Sequence, residues 1–255
     1  MSAEPAYQPD VAYTGDYPDF ASARAASTGY EAGAILERTR AALLKVVRGE
    51  AAFERDSVTF DQLERPGPML DLLLQSAAER GGNLSVLDFG GSLGSTYYHC
   101  RSFLAGLRKL EWSIVEQPGH VAVGQRDFAT PQLRFYPTIA ACQAERQPTL
   151  LLLSGVLQCL PDPWAFLRSA VQPGFDRMII DRCPIIDAPR DRLTVETVAP
   201  RIYPASYPAW FFSRAALPAH LPAQWEIERE FDAIDRQLLD GVEITFKGFA
   251  LRRRS

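Results

Sequence analysis

A short apolar segment that runs directly into a glycine-rich turn constrains the fold of this chain more than any other feature. The sequence VLDFGGSLGS begins at Val86, places Asp88 near the end of the apolar run, and follows it with Gly90, Gly91 and Gly94. Glycine permits a tight turn and lets a ligand approach the backbone, and the start of the following helix favours negative charge. The segment therefore predicts a buried strand, a ligand-binding turn and a helix in immediate succession.

Strand and helix signals alternate through the rest of the chain. Short apolar runs such as LLLL are typical of parallel strands that are covered on both faces. The runs at residues 225–231 and 244–251 have a long turn but no helix between them, so we expect them to pair antiparallel. The pattern predicts an α/β fold: a doubly wound Rossmann-like sheet, mostly parallel, with one antiparallel strand at the C-terminal edge. The parallel strands are predicted at residues 84–89, 112–116, 133–136, 150–153 and 178–181.

The N-terminal part of the chain has a different pattern. Residues 1–29 show no clear periodicity and are interpreted as an arm. Apolar residues at helical spacing predict one helix over residues 31–48 and a second that starts after Pro66 and ends near Gly82. We therefore expect an N-terminal arm and helical cap over residues 1–80, followed by the Rossmann-like domain over residues 81–255.

Composition limits the partners and the compartment. The net charge of −4 gives no basic footprint for nucleic acid. The four cysteines are far apart in the sequence, which indicates neither a disulfide framework nor a zinc site, and the three histidines are isolated, so no metal site is expected. No signal peptide is recognisable at the N-terminus, and no apolar run approaches the ~20 residues of a membrane-spanning helix. A cytoplasmic location without a membrane partner is the expectation.

The details of the glycine turn separate several possible ligands. No Gly-Lys-Ser/Thr sequence follows, so the turn is not a P-loop, and Ser92 and Ser95 replace the later glycines of the nicotinamide fingerprint. The second predicted strand ends at Glu116, where a carboxylate can accept hydrogen bonds from both hydroxyls of a ribose. The alternative is that Glu116 is a surface residue at a strand terminus.

These residues resemble a known motif. The spacing of Asp88, Gly90, Ser92 and Gly94 resembles the first motif of class I S-adenosylmethionine-dependent methyltransferases, and Glu116 matches their acidic residue after the second strand. The resemblance implies S-adenosylmethionine as cofactor and an antiparallel hairpin at the C-terminal edge of the sheet. The residues expected at the cofactor lie at the turn and at the strand ends beside it: Asp88, Gly90, Gly91, Ser92, Gly94, Glu116, Gln117 and Ser154.

Longer phrases extend the resemblance over most of the chain. The segments AAFERDSVTF, VLDFGGSLGSTYY, LLLSGVLQCLPDPWAFL and RIYPASYPAWFFS are similar to a family of bacterial methyltransferases whose genes accompany those for surface-polysaccharide and O-antigen biosynthesis. This similarity implies a methyltransferase that acts on a small molecule or glycan precursor, with oxygen favoured over nitrogen as the methylated atom. It also allows the charged block at Glu54, Arg55 and Asp56 to fold over the cofactor mouth, although Asp56 could equally cap a helix.

The acceptor should bind beyond the carboxyl ends of the central strands. Asp181 is the leading candidate for acceptor binding or proton removal, and Arg182 could hold an anionic group of the substrate. An Asp–Arg pair that only finishes the strand is the alternative. Residues 201–210 carry prolines spaced by four, which prevents a regular helix and predicts an ordered loop. Its Tyr203 and Tyr207 could shape an acceptor pocket or form a hydrophobic lid.

Two other functions compete with methyl transfer. A nicotinamide-dependent sugar-modifying enzyme would need a Tyr-x-x-x-Lys pair or comparable residues for hydride transfer, and the sequence shows none. A non-catalytic Rossmann-like module that binds a nucleoside would need the glycine turn but no catalytic residues. Binding of the cofactor without turnover over a broad panel of acceptors would distinguish this module from an enzyme.

Overall fold

The computed structural model describes residues 10–29, 32–170 and 174–254, and within these ranges it contains thirteen strands and eight helices. The strands are β1 (Val11–Tyr17), β2 (Phe53–Arg55), β3 (Val58–Phe60), β4 (Asn83–Phe89), β5 (Lys109–Val115), β6 (Leu133–Tyr136), β7 (Leu150–Ser154), β8 (Arg177–Cys183), β9 (Ile185–Ile186), β10 (Arg192–Val198), β11 (Ser206–Ser213), β12 (Trp225–Leu239) and β13 (Val242–Arg253). The helices are α1 (Phe20–Ala25), α2 (Ala32–Val47), α3 (Gly67–Glu79), α4 (Ser95–Cys100), α5 (Pro118–Asp127), α6 (Ile139–Glu145), α7 (Pro163–Ala170) and α8 (Leu217–His220).

Eleven strands form one sheet in the order β6-β5-β4-β7-β8-β13-β12-β1-β10-β11-β9. The five strands β6, β5, β4, β7 and β8 run parallel to one another. The next strand in the sheet, β13, pairs antiparallel with both β8 and β12. The predicted mostly parallel Rossmann-like fold is therefore confirmed, with antiparallel pairing after the parallel strands. The prediction that the antiparallel strand lies at the edge of the sheet is wrong, because β1, β10, β11 and β9 continue the sheet beyond β12. The strand order reverses between β4 and β7, and in sheets of this kind a ligand binds in the crevice beyond such a reversal.

Helices cover both faces of the parallel part of the sheet. Alternate residues of β4 point to opposite faces, as the period of two requires. Val86 packs in a cluster that includes residues of α3 and α5, and Leu87 packs in a second cluster with residues of α6 and α7. Both side chains are fully buried. Burial on both faces explains why these strands appear in the sequence as continuous apolar runs.

The N-terminal prediction needs correction. Two helices lie where the sequence predicts them, α2 and α3, but Val11–Tyr17 is a strand of the main sheet rather than an irregular arm. β1 pairs antiparallel with β10, from Val11 opposite Val198 to Tyr17 opposite Leu193. Its residues alternate between half-buried and exposed positions, and the partner strand lies far along the chain, so no local apolar signal marks it. Residues 1–9 of the predicted arm and Glu31, the predicted first residue of the helix, lie outside the described residues.

A two-stranded hairpin replaces part of the predicted helical cap. β2 and β3 pair antiparallel, and Asp56 and Ser57 between them have positive φ values of 51° and 69°. Two left-handed residues in succession form the tight turn whose twist matches that of a hairpin. Asp56 therefore makes a strand turn and does not cap a helix.

Two further corrections concern the C-terminal half. The predicted long turn between the last two strands is a two-residue turn at Asp240 and Gly241, with φ values of 51° and 81°. The predicted loop over residues 201–210 is a strand from Ser206 onward. Pro208 does prevent a helix, but the sheet tolerates it because only β10 pairs with β11 at that position.

The packing of α5 against β6 yields a prediction. A Cβ at Gly124 would lie 2.4 Å from Cδ1 of the buried Phe135 ring, so Gly124→Ala should overpack the core. Overpacking costs about 1–3 kcal/mol and outweighs the gain of roughly 1 kcal/mol in helix propensity. Urea unfolding should show that Gly124→Ala lowers the free energy of unfolding by about 1–2 kcal/mol. The control is Gly33→Ala in α2, where a Cβ would meet nothing within 4 Å. Equal or greater stability of Gly124→Ala than of Gly33→Ala would contradict the packing argument.

Candidate functional site

A cavity of about 720 Å³ lies at the carboxyl ends of the parallel strands. Its walls come from the glycine turn after β4, the ends of β5, β7 and β8, the β2–β3 hairpin and the start of β11. This volume falls within the range of small-molecule sites. Ten of the twelve residues predicted for cofactor and acceptor line this cavity: Gly90, Gly91, Ser92, Glu116, Gln117, Ser154, Asp181, Arg182, Tyr203 and Tyr207.

The glycine turn has no space for side chains. Gly90 has a φ of +73°, and a Cβ there would lie 2.4 Å from Cγ2 of Val156. A Cβ at Gly91 would lie 2.5 Å from the carboxyl carbon of Asp88. Gly94, with a φ of +104°, is the N-cap of α4. The first two positions therefore require glycine because of atoms already packed around them, and Gly94 requires it because of its backbone angle.

Asp88 and Gly94 are the two predicted cofactor residues that do not line the cavity. Asp88 is 1% exposed and lies below Gly91. Its Oδ2 accepts a hydrogen bond of 3.0 Å from Nε1 of Trp112 on β5, and burial raises its pKa to about 7. Asp88 therefore supports the turn from within the core and joins β4 to β5. The prediction that it contacts a ligand is not supported, because the turn itself covers its carboxyl group.

Glu116 borders the cavity immediately after β5. The backbone N–H of Gly90 donates to the carbonyl of Val115, which holds the turn beside the end of this strand. The Glu116 carboxylate accepts a hydrogen bond of 2.6 Å from the backbone N–H of Gln117 and lies 4.0 Å from Nδ1 of His120. His120 thus has an acidic neighbour, which its isolation in the sequence did not suggest. The carboxylate is held where a ligand at the glycine turn can reach it.

Ser154 is the last residue of β7 and lies opposite Asp181 of β8, in the last pair that joins these two parallel strands. The Ser154 hydroxyl donates a hydrogen bond of 3.3 Å to Oδ2 of Asp181. Asp181 is 9% exposed, and burial raises its pKa. A buried carboxyl group that borders the cavity is suited to accept a proton from a bound molecule.

Arg182 has a different role from the one predicted. Its backbone adopts a positive φ of 56°, and its side chain joins two separate segments. Nη2 lies 2.6 Å from Oδ2 of Asp56 in the β2–β3 turn, and Nε lies 2.7 Å from Oδ2 of Asp235 in β12. Two carboxylates already neutralise the guanidinium, so the prediction that it holds an anionic substrate group is not supported. Arg182 instead connects the hairpin to the main sheet.

Two tyrosines flank a half-buried glutamate on three neighbouring strands of the main sheet. Tyr13, Glu196 and Tyr207 are neighbours across β1, β10 and β11, and the Tyr207 hydroxyl donates to Oε1 of Glu196 at 2.9 Å. Burial raises the pKa of Glu196 to about 7. Tyr203 and Tyr207 both line the cavity, as predicted, but Glu196 was missed. The sequence of β10 does not indicate that two tyrosines from distant segments flank Glu196.

Glu54 is the second acid that sequence reasoning did not resolve. It lies on β2 and is 2% exposed, although it is followed in the sequence by two further charged residues. Its Oε1 accepts a hydrogen bond of 2.6 Å from the backbone N–H of Ser57, and its Oε2 accepts one from the hydroxyl of Ser95 at the start of α4. Burial raises its pKa to about 7. Glu54, Arg55 and Asp56 all line the cavity.

Backbone strain is concentrated around this cavity. Of the five non-glycine residues with positive φ in the described ranges, four line it: Asp56, Ser57, Ser92 and Arg182. Such conformations persist only where surrounding structure enforces them, and they occur preferentially at functional sites. The described residues contain no group of three or more His, Cys, Asp or Glu side chains placed to hold a metal ion. None of the described helices is both long and apolar enough to cross a bilayer.

No protein-family model and no curated protein matches the sequence. Several solved structures resemble the fold. A 1,6-didemethyltoxoflavin-N1-methyltransferase from Burkholderia thailandensis, with bound 1,6-didemethyltoxoflavin and S-adenosylhomocysteine, is 18% identical over 99% of this chain and 100% of that one, with a TM-score of 0.47. A S-adenosylmethionine-dependent methyltransferase from Clostridium acetobutylicum is 11% identical over 75% of this chain and 93% of that one, with a TM-score of 0.47. A pericyclic reaction enzyme is 12% identical over 86% of this chain and 64% of that one, with a TM-score of 0.49. At these identities and TM-scores, function has to be argued from the residues of this chain.

The buried acids predict an unusual dependence of stability on pH. Burial raises the pKa values of Glu54, Asp88 and Glu196 to about 7, above the value of about 4 in an unfolded chain. The folded state therefore binds more protons between these values, and the free energy of unfolding should fall as the pH rises from 5 to 7. Each group can lower the free energy of unfolding by at most about 1.4 kcal/mol per pH unit. His99, whose pKa burial lowers, opposes this trend below pH 6.5.

Urea unfolding of the ligand-free protein at pH 5, 6, 7 and 8 checks this prediction. Glu196→Gln should reduce the pH dependence, because it removes one titrating group while keeping an oxygen that can accept from Tyr207. A free energy of unfolding that is constant or rises over this range would contradict the assignment of buried, protonated acids.

Proposed function

We propose that this chain is an S-adenosylmethionine-dependent methyltransferase that acts on a small molecule. The observation that carries the proposal is the convergence on one cavity of a glycine turn, a ribose-type carboxylate at Glu116 and a buried acid at Asp181. The turn and Glu116 follow neighbouring parallel strands, and Asp181 lies near the carboxyl end of a third strand on the other side of the order reversal. Cofactor and acceptor would thus be bound side by side.

The charges around the cavity support this cofactor over a dinucleotide. Six acids line the cavity against four arginines, and Asp56 and Asp235 engage the guanidinium of one of these arginines, Arg182. The lining acids are Glu54, Asp56, Glu64, Glu116, Asp181 and Asp232, and the remaining arginines are Arg24, Arg55 and Arg65. This acidic set suits a ligand that carries positive charge and a diol. A nicotinamide dinucleotide would bring two phosphate charges to the same turn, where they would be repelled. The glycine turn, Ser92 and Glu116 would hold the nucleoside end, with Gln117 and Ser154 at the adjoining strand ends.

When bound, S-adenosylmethionine supplies a methyl group on an electrophilic sulfonium. The protein then has two tasks: to align an acceptor atom with that carbon, and to take the acceptor's proton where it has one. Asp181 can perform the second task because its carboxyl borders the cavity and Ser154 fixes its orientation. Transfer to a hydroxyl would form a methyl ether, break the bond between sulfur and the methyl carbon to leave S-adenosylhomocysteine, and leave the hydroxyl proton on Asp181. Tyr203 and Tyr207 would form the wall against which the acceptor is aligned.

Within this function, we propose a hydroxyl acceptor on a sugar or glycan precursor. Two features support it: the buried carboxyl group available as a base, and the aromatic faces beside it, which pack well against sugar rings. The similarity of the long sequence phrases to methyltransferases of surface-polysaccharide gene clusters points in the same direction. A cytoplasmic location, where the cofactor and activated sugars are made, is part of the same proposal.

The first prediction concerns the cofactor. Titration calorimetry should give micromolar affinity for S-adenosylmethionine or S-adenosylhomocysteine, about −8 kcal/mol, and no binding of NAD. Glu116→Ala should weaken binding by roughly 1.5–3 kcal/mol, because charge-assisted hydrogen bonds to the ribose hydroxyls are lost. The control is Glu111→Ala, which removes an acid from the same strand near its other end, where it pairs with Lys109. Binding of NAD without binding of either sulfur compound would refute the proposed function.

The second prediction concerns the acceptor. S-adenosylhomocysteine release should be measured over a panel of monosaccharides, nucleotide sugars and phenols. With the best acceptor, Asp181→Asn should lower turnover by about 10²–10⁴-fold, because the proton acceptor is lost, while cofactor affinity stays nearly unchanged. Ser154→Ala should raise the activation free energy of turnover by only about 0.5–1.5 kcal/mol, which is the contribution of one hydrogen bond. Full activity in Asp181→Asn would remove this residue from catalysis. Tight cofactor binding with no turnover on any acceptor would favour the non-catalytic module.

A further inference from the structure

Glu54 is a buried acid for which methyl transfer, as proposed above, has no use. It is 2% exposed and lines the cavity beside the glycine turn. Each of its carboxylate oxygens accepts one hydrogen bond, from the backbone of Ser57 and from the hydroxyl of Ser95. A carboxylate oxygen can accept two hydrogen bonds, so acceptor capacity remains on both oxygens. The group is held rigidly and is still able to bind a donor.

No cation of the described residues forms an ion pair with this carboxyl group. The charged groups that affect it most are Asp56, on the same hairpin, and Arg182, from the main sheet. Arg182 is bound by Asp56 and by Asp235, so little of its charge is left for Glu54. A buried carboxylate without a counter-ion is costly, and a cationic ligand would relieve that cost.

The position of Glu54 indicates which part of the ligand it faces. Its partner Ser95 is the first residue of α4, directly after the turn, whereas Glu116 borders the turn from the end of β5. Two carboxyl groups therefore lie at two different sides of one turn. If Glu116 takes the ribose of S-adenosylmethionine, a ligand that follows the turn brings its amino-acid part towards Glu54.

We propose, on the premise of the proposed function, that Glu54 binds the ammonium group of the amino-acid part of S-adenosylmethionine. An ammonium group has three donors and a positive charge, which match the free acceptor capacity and the missing counter-ion of this carboxyl. The strained turn at Asp56 and Ser57 has a purpose in this arrangement: it aims the Ser57 N–H at Glu54 and fixes the carboxylate. The hairpin that replaces part of the predicted helical cap is thus a part of the cofactor site.

The proposal has a consequence for the pH dependence of binding. Burial raises the pKa of Glu54 to about 7 in the free protein, and an ammonium group bound beside it would lower that pKa again. Binding therefore releases a proton, and affinity for the amino-acid part should fall as the pH is lowered below 7, by up to about tenfold per unit. Other groups at the cavity also titrate: His99 packs against β2, and Asp181 lies on β8. Their effects must be separated from that of Glu54.

Two ligands and one matched variant distinguish the effect of Glu54 from the effects of the other titrating groups. S-adenosylhomocysteine carries the amino-acid part, and 5′-methylthioadenosine has the same nucleoside and sulfur without it. In titration calorimetry, Glu54→Gln should weaken the binding of S-adenosylhomocysteine at least tenfold, about 1.4 kcal/mol. The same substitution should change the affinity for 5′-methylthioadenosine by less than about twofold. The ratio of the two affinities should fall with decreasing pH in the unmodified protein and stay constant in Glu54→Gln. Glu64→Gln, an exposed acid at the same cavity, should change neither affinity.

Glutamine keeps an oxygen for the Ser57 N–H and can donate to Ser95, so Glu54→Gln should fold, and its thermal unfolding verifies this. Equal weakening of both ligands would mean that Glu54 only shapes the cavity, and unchanged affinity for both would mean that it faces no ligand. Either result overturns the proposal while the proposed function stands. If the unmodified protein binds neither ligand, both fail together.

Discussion

The hydrogen bond from Trp112 to Asp88 is the interaction on which the arrangement of the site depends. It joins β4 to β5 inside the core and places a carboxyl group directly below Gly91. Because that carboxyl occupies the space of a side chain, the turn can only be made of glycine at this point. Backbone pairing holds the ends of the two strands together, with Phe89 opposite Val115, and these ends are followed by the turn and Glu116. A core interaction thus determines where a ligand can approach the backbone.

The antiparallel half of the sheet supplies the other wall of the cavity. β12 brings Asp235 to Arg182, and the β2–β3 turn brings Asp56 to the same guanidinium, so three distant segments meet at one side chain. β1, β10 and β11 then align Tyr13, Glu196 and Tyr207 across the sheet. Without these additions, the five parallel strands would form an open crevice. The added strands narrow the crevice to a cavity of about 720 Å³ with an aromatic side.

The sequence predicted those parts of the structure that are formed by consecutive residues of the chain. The strand, turn and helix from Val86 onward could be read from the sequence because apolar residues, glycines and the helix start are consecutive. Glu116 could be placed for the same reason, since it ends an apolar run. β1 could not be predicted, because its strand character comes from pairing with β10, which lies far along the chain. A half-exposed strand has no continuous apolar signal.

The roles of charged side chains were the least predictable part of the site. Arg182 follows a candidate catalytic acid and carries the charge expected of an anion-binding group, yet two carboxylates from other segments neutralise it. Neither Asp56 nor Asp235 is close to it in sequence. Glu54 illustrates the opposite case, since it stands beside two charged residues in the sequence, and only the hairpin shows that its side chain is buried. Burial and ion pairing are properties of the fold, and they decide what a charge can do.

The two cavity acids have different surroundings, and this difference separates their proposed tasks. Glu54 is held by a backbone N–H and a hydroxyl, one on each oxygen, and no cation of the described residues pairs with it, which suits a group that must stay in place and attract a cation. Asp181 has the hydroxyl of Ser154 at 3.3 Å and the backbone of Arg182 as donors, and the nearby guanidinium of Arg182 opposes the effect of burial on its pKa. Burial makes a carboxylate more basic, and a neighbouring positive charge keeps it ionised, so the two effects together suit a group that must be free to take up a proton. The same chemical group, placed on two sides of one cavity, is thereby fitted to electrostatic binding in one case and to proton transfer in the other.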